Sequence, residues 1–255
     1  MTLRTHSQFR SKFLPDARDI TVFLPPGYEP ARDVRYPVLY MHDGQNLFDP
    51  EVAFKKGEHW RVGETASELI DAGRIDPLII VGLANTGPRR VHEYTPTHDR
   101  RRGGGEADNY GRLIIEELKP LIDTTYRTLP DSMHTGMAGS SLGGLVTLYL
   151  GLKRPDVFGR LGVMSPSVWW DRRVILRNVR ESRPKPRLRI WVDMGTREGR
   201  QHLENARLLK VGLLKAGWVD DDDLHYEEAA GGTHSESAWG GRFGRVLEWL
   251  FGRGS

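Results

Sequence analysis

Ser141 lies in Gly139-Ser140-Ser141-Leu142-Gly143, so it reads as Gly-x-Ser-x-Gly. That spacing suits a serine on a sharp strand-to-helix turn, with its hydroxyl held clear of the packed backbone. A glycine on each side lets strand and helix approach closely. The register selects Ser141 over Ser140, because bulky Leu142 would stand two places after Ser140. A serine hydroxyl becomes a nucleophile when a base takes its proton. A histidine does this near neutral pH, and a carboxylate orients the ring and stabilises its charged form. With 29 glycines in the chain, the bare pattern carries little weight. Its context carries more: a strand before it, a helix after it, and acid and histidine candidates downstream.

On such a scaffold the partners follow in chain order serine, acid, histidine. His234 stands after the last strand-like segment, behind Gly231 and Gly232. His42, His59, His92, His98 and His134 precede the serine; His202 falls in a helical stretch and His225 starts a strand. The acid should follow the penultimate strand, 188–194. Asp193 lies inside it and Glu198 in the loop beyond. A side chain within the strand points into a packed face, whereas a loop residue can reach across the top. Glu198 is therefore favoured, with Asp193 as the alternative acid. Attack on an ester creates an oxyanion that needs fixed N–H donors. The backbone N–H of Leu142 is one, and Gln45 in the loop His42 to Asn46 is chosen for the other. Trp60, Tyr94, Trp169 and Trp170 are expected to line an acyl or sugar pocket; their alternative is packing beneath a loop.

The elements that must position these groups alternate. Residues 19–24, 36–41, 77–84, 133–138, 161–164, 188–194 and 224–228 read as strands. Residues 61–72, 108–126, 142–153, 201–216 and 237–251 read as helices, the second bent at Pro120. Residues 85–106 form a long, charged, glycine-rich loop. The alternation implies an α/β fold, a mainly parallel sheet with helices on both faces.

At 255 residues the simplest fit is a single domain over 1–255. Hydrophobic content of 38% and charged content of 28% suit a globule. The net charge is only +3, so nucleic acid is not implied as a partner, and Arg100-Arg101-Arg102 reads as a solvated loop. The chain has no cysteine, which removes disulfides, thiol nucleophiles and thiolate metal sites and is compatible with the cytoplasm. Met1 to Arg10 is polar and lacks an apolar core, so no signal peptide is expected, and no stretch approaches a membrane span. Asp220 to Asp223 lacks the spacing of a calcium loop. Neither metal nor cofactor is expected. The expected partner is a small-molecule ester, and homo-oligomerisation stays open.

Several motifs in order resemble the putative esterase family of the α/β-hydrolase fold, which includes enterochelin-esterase-like, feruloyl-esterase-like and esterase D-like enzymes. They are Tyr-Met-His-Asp-Gly-Gln-Asn-Leu-Phe at 40–48, Glu93-Tyr94-Thr95-Pro96, Glu117-Leu118-Lys119-Pro120, Gly139-Ser140-Ser141-Leu142-Gly143-Gly144, Ser165-Pro166-Ser167, Gly195-Thr196-Arg197-Glu198 and Gly232-Thr233-His234. The resemblance implies an α/β-hydrolase fold, a Ser141–Glu198–His234 triad and oxyanion donors at Gln45 and Leu142. Many relatives carry Asp where this chain has Glu198; either carboxylate can orient a histidine. The leading expectation is a serine carboxylic-ester hydrolase acting through an acyl-enzyme. An acyltransferase of antigen 85 type shares its chemistry. A non-catalytic binding module would be marked by a missing triad member, and none is missing.

Overall fold

The computed structural model describes residues 1–29 and 33–253. Eight strands form one sheet: β1 (Thr2–Phe9), β2 (Arg18–Leu24), β3 (Val38–His42), β4 (Ile79–Leu83), β5 (Thr135–Ser140), β6 (Arg160–Met164), β7 (Arg189–Gly195) and β8 (Leu224–Ala229). Their spatial order is β1-β2-β4-β3-β5-β6-β7-β8. β1 and β2 run antiparallel, as do β2 and β4; every other neighbouring pair is parallel. This is the α/β-hydrolase arrangement.

The central strands are apolar on both faces because helices cover both. In β3, Leu39 and Met41 face one core with Ile80 and Ala138, while Val38 and Tyr40 face the other with Val81 and Met137. The first core is closed by α1 (Val62–Asp71) and the C-terminal helix, Glu236–Phe251. The second is closed by α2, a composite helix over residues 107–125, and by α3 (Leu142–Lys153). Two further helices, α4 (Trp170–Glu181) and α5 (Arg200–Ala216), follow β6 and β7; the C-terminal helix is α6.

The chain leaves β3 for β4 on one side and later crosses to β5 on the other. That reversal opens a crevice at the carboxyl ends of β3 and β5. Loops carrying Asp43 to Asn46, Ser141, Ser165 to Ser167, Glu198 and His234 all leave the sheet at its carboxyl edge.

Four local expectations are corrected. The polar segment Met1 to Arg10, given no element in the sequence reading, contains β1, which pairs with β2 as an edge strand, where side chains of either polarity are tolerated. The strand expected from Met133 starts at Thr135, because Ser132–His134 winds into a 3₁₀ turn held by His134 on Asp131. The irregularity in α2 falls before Pro120, as a π-helical stretch Leu113–Leu118. Proline has no N–H to donate back to that turn, so the ladder widens there. Helix α4 lies outside the expected helices, because its buried residues, Trp170, Val174, Ile175 and Val179, are few among its arginines.

Gly144 marks how tightly α3 approaches the sheet. A Cβ there would stand 2.8 Å from the carbonyl oxygen of Met164 and 3.2 Å from that of Gly139. Gly144→Ala is therefore expected to push the start of α3 off β6. It should cost about 1–3 kcal/mol in urea unfolding and lower activity by more than that loss of folded protein explains.

Candidate active site

Ser141 takes φ 59° and ψ −121° between β5 and α3. A non-glycine residue in that region costs about 1–3 kcal/mol, so neighbouring bonds must hold it. They do: its N–H donates to Met164 O at 3.0 Å, and its carbonyl accepts from Ser167 N–H at 2.9 Å. Gly139 and Gly143 are small for steric reasons. A Cβ on Gly139 would lie 2.8 Å from His42 Cδ2, and one on Gly143 3.3 Å from His42 Cβ. Ser141 Oγ is 3.3 Å from Ser167 Oγ.

His234 stands in the loop after β8, its side chain 46% exposed. Its Nδ1 lies 2.6 Å from Glu198 Oε2. An ionised carboxylate can only accept, so the proton sits on Nδ1 and Nε2 is left as the basic nitrogen. The Trp239 ring meets the imidazole edge-on at 4.7 Å. Glu198 is buried, and its Oε1 accepts from Ser165 Oγ at 2.6 Å and from Gly195 N–H at 2.9 Å. Burial alone would push its carboxyl pKa up. Hydrogen bonds from His234 and Ser165 outweigh that and hold it below the usual carboxylate range.

Ser141 and His234 share two cavities. One, of about 300 Å³, is also walled by Asp43, Gln45, Asn85 and Arg90. The other, larger and more open, is also walled by Ser167, Trp169 and Arg102. Among the described residues His234 makes no hydrogen bond to Ser141 Oγ. Such contacts are often long in unliganded enzymes and tighten when substrate binds. The backbone N–H groups of Gln45 and Leu142 donate to no protein acceptor among the described residues. Leu142 opens α3, so its N–H sits at the positive end of the helix.

Asp193, the alternative acid, stands close behind Glu198 but makes no hydrogen bond to His234 among the described residues. It is fully buried in β7, and its carboxylate accepts from Arg242, Trp191 Nε1 and the Ser165 N–H. Strand geometry accounts for this: the side chain points into the sheet's packed face, toward Trp191 and Arg242.

Three of the four expected pocket aromatics are corrected. Tyr94 is fully buried, packed at a tilt against the rings of His42 and Tyr110, with its hydroxyl accepting the Asp43 N–H. Trp170 is buried and donates to Thr97 O. Trp60 packs behind Trp239 and Phe243. Large rings gain more by filling the layers under the loops than by facing water. Trp169 alone of the four borders the site, with the Arg102 guanidinium 5.1 Å from its ring.

Other groups at the site had little sequence signal. Arg90 grips Asp43 through two 2.7 Å bonds, and Asn85 Nδ2 donates to the same carboxylate. The motif around Glu93 supports this wall from behind: Glu93 accepts from Arg18 Nη1 and Nη2, each at 2.8 Å, in a buried pair. Beside it, His42 is held neutral, its pKa lowered to about 3 chiefly by burial. Arg242 was missed, yet it has a signal. It occupies an apolar-stripe position of α6, three residues after Trp239 and four before Val246.

Residues 11–250 match the sequence profile of a family described as "Putative esterase". The chain belongs to this family. Its members are ester-hydrolysing enzymes, and so is this chain. It is 26% identical over 249 residues to "Uncharacterized protein YbbA" of Bacillus subtilis, covering 92% of this chain and 93% of that one. It is 29% identical over 212 residues to an endo-1,4-beta-xylanase/feruloyl esterase of Xylanibacter ruminicola, covering 80% of this chain and 26% of the relative. In structure it resembles the enterobactin esterase FES of Shigella flexneri, with a TM-score of 0.78 and 21% identity, over 98% of this chain and 58% of that one. This likeness speaks for the fold. Among the described residues no helix is long and apolar enough to cross a membrane.

Proposed function

We propose that this esterase works as a serine hydrolase through an acyl-enzyme, with Ser141 as nucleophile, His234 as base and Glu198 as the acid that orients it. Ser141 Oγ attacks the ester carbonyl as His234 Nε2 takes its proton. The backbone N–H groups of Gln45 and Leu142 receive the oxyanion. His234 then protonates the departing alcohol, which leaves Ser141 acylated. Water, deprotonated by the same nitrogen, releases the carboxylic acid and restores the serine. The observation that carries this reading is the 2.6 Å Nδ1–carboxylate contact of His234, on a cavity shared with a serine at a strained strand-to-helix turn.

The wall of Asp43, Asn85 and Arg90 favours an ester whose nearer half carries hydroxyl or carbonyl groups, and Trp169 offers a ring face on the other side of Ser141. A small, polar ester with an aromatic acyl group fits both. The feruloyl esterase name of one relative agrees with that class. A panel of acetyl, butyryl, feruloyl and catechol-bearing esters, assayed for kcat/KM, tests it. The expected result is a feruloyl or catecholic ester exceeding butyryl by tenfold or more. Equal rates across the panel, or preference for the plain alkyl ester, would contradict it.

A further inference from the structure

Behind the His234–Glu198 pair lies a charged cluster that the reaction as written does not use. Arg242 on α6 is 3% exposed, Asp193 is fully buried and Glu198 is 1% exposed at its side chain. Arg242 Nη2 donates to Ser165 Oγ at 2.7 Å, to Asp193 Oδ1 at 2.9 Å and to Glu198 Oε1 at 3.4 Å. Ser165 Oγ in turn donates to Glu198 Oε1 at 2.6 Å and also accepts from Trp239 Nε1 at 2.9 Å. Ser165 adopts φ 41°, a left-handed conformation that a serine takes only when its surroundings demand it. Its main-chain N–H is fixed on Asp193.

We propose that Arg242 and Ser165 are positioning residues that hold the Glu198 carboxylate toward His234, with Asp193 as the counter-charge that keeps Arg242 in place. One cation and two carboxylates leave the buried cluster one negative charge. That single charge is what an imidazolium at His234 would neutralise when it forms. Without the cation, two buried carboxylates would repel each other, and protons would bind the pair more tightly, whether on glutamate or on imidazole. Ser165 has the other task. Its donated bond occupies Oε1, so Oε2 is the oxygen presented to the ring. The role of Asp193 follows: it is a carboxylate committed to the arginine, which is why a strand acid stands so near the site without touching the histidine.

This inference rests on Glu198 acting as the acid. Its test therefore includes a readout that does not depend on turnover. The ring resonance of His234 is titrated by NMR in the wild type, Arg242→Met, Arg242→Lys and Ser165→Ala, beside kcat and KM for an activated ester. The other titratable or charged groups lining the cavities around the ring are Glu236 on α6, His202 on α5, Arg102 and the Asp43–Arg90 pair. All of these stay constant across the series. Arg242→Met should raise the His234 midpoint by about one pH unit, move the acid limb of kcat/KM with it, and lower kcat about tenfold at unchanged KM. Arg242→Lys should return the midpoint to within about 0.3 units. Ser165→Ala should lower kcat about tenfold and move the midpoint less than Arg242→Met does. If Arg242→Met does not fold, Ser165→Ala and Arg242→Lys carry the test. An unchanged midpoint in a folded Arg242→Met, or wild-type kcat in Ser165→Ala, overturns the assignment. A wild type that hydrolyses no ester refutes the triad, while the NMR midpoints still decide the cluster.

Discussion

Ser141→Ala is expected to lower kcat for a short activated ester by about 10⁵-fold, with little change in KM or in urea unfolding. The size follows from what is lost. Ester cleavage through an acyl-enzyme needs an oxygen that forms the new bond, and a methyl side chain has none. What would survive is binding and the proposed oxyanion donors, the backbone N–H groups of Gln45 and Leu142, which do not depend on the Ser141 side chain. The stability should hold because the φ of 59° is set by the backbone bonds to Met164 and Ser167, which alanine keeps. Stopped-flow release of p-nitrophenol, with a urea melt beside it, checks both halves. Turnover near that of the wild type would remove Ser141 from the chemistry.

The second large effect separates the two acids by what each substitution damages. Glu198→Gln is expected to cut kcat by about 10⁴-fold. The amide can present N–H to His234 Nδ1, which would move the ring proton to Nε2 and leave no base facing the serine. Asp193→Asn should behave differently. It leaves Arg242 buried with its nearest carboxylate gone, and Glu198 stands farther off at 3.4 Å. The expected cost is about 3–5 kcal/mol of folding stability, with kcat in the folded fraction reduced far less than in Glu198→Gln. Denaturant melts and active-site-normalised kcat on both variants distinguish the cases. The reverse pattern, with Asp193→Asn inactive but stable, would make Asp193 the acid.

The strand-helix alternation was legible because the central strands are continuous apolar runs and their helices carry a clear period. The contact of Glu198 with His234 was legible for a geometric reason: a loop after the penultimate strand reaches across the sheet edge, whereas Asp193 in the strand faces inward. What lay hidden has physical causes too. β1 buries little, so Met1 to Arg10 carries no apolar alternation. Trp60, Tyr94 and Trp170 could not be told from pocket walls, because aromatic rings suit both a core and a sugar face. For Tyr94, only its packing against His42 and Tyr110 separates the two. The Arg90–Asp43 wall joins residues 47 positions apart, which no local spacing encodes. Arg242 drew no reading from the sequence, because a single arginine on the apolar stripe of α6 carries no mark of the Glu198 it meets 44 positions away.

The most direct measurement is to react the folded protein with a fluorophosphonate ester and locate the adduct by peptide mass spectrometry. Among the described residues, four serines line the cavities of the site: Ser140, Ser141, Ser165 and Ser167. The account predicts one adduct per chain, on Ser141, with labelling abolished in Ser141→Ala and strongly slowed in His234→Ala. An adduct on Ser140, Ser165 or Ser167, or no adduct on a protein that still hydrolyses esters, would contradict it.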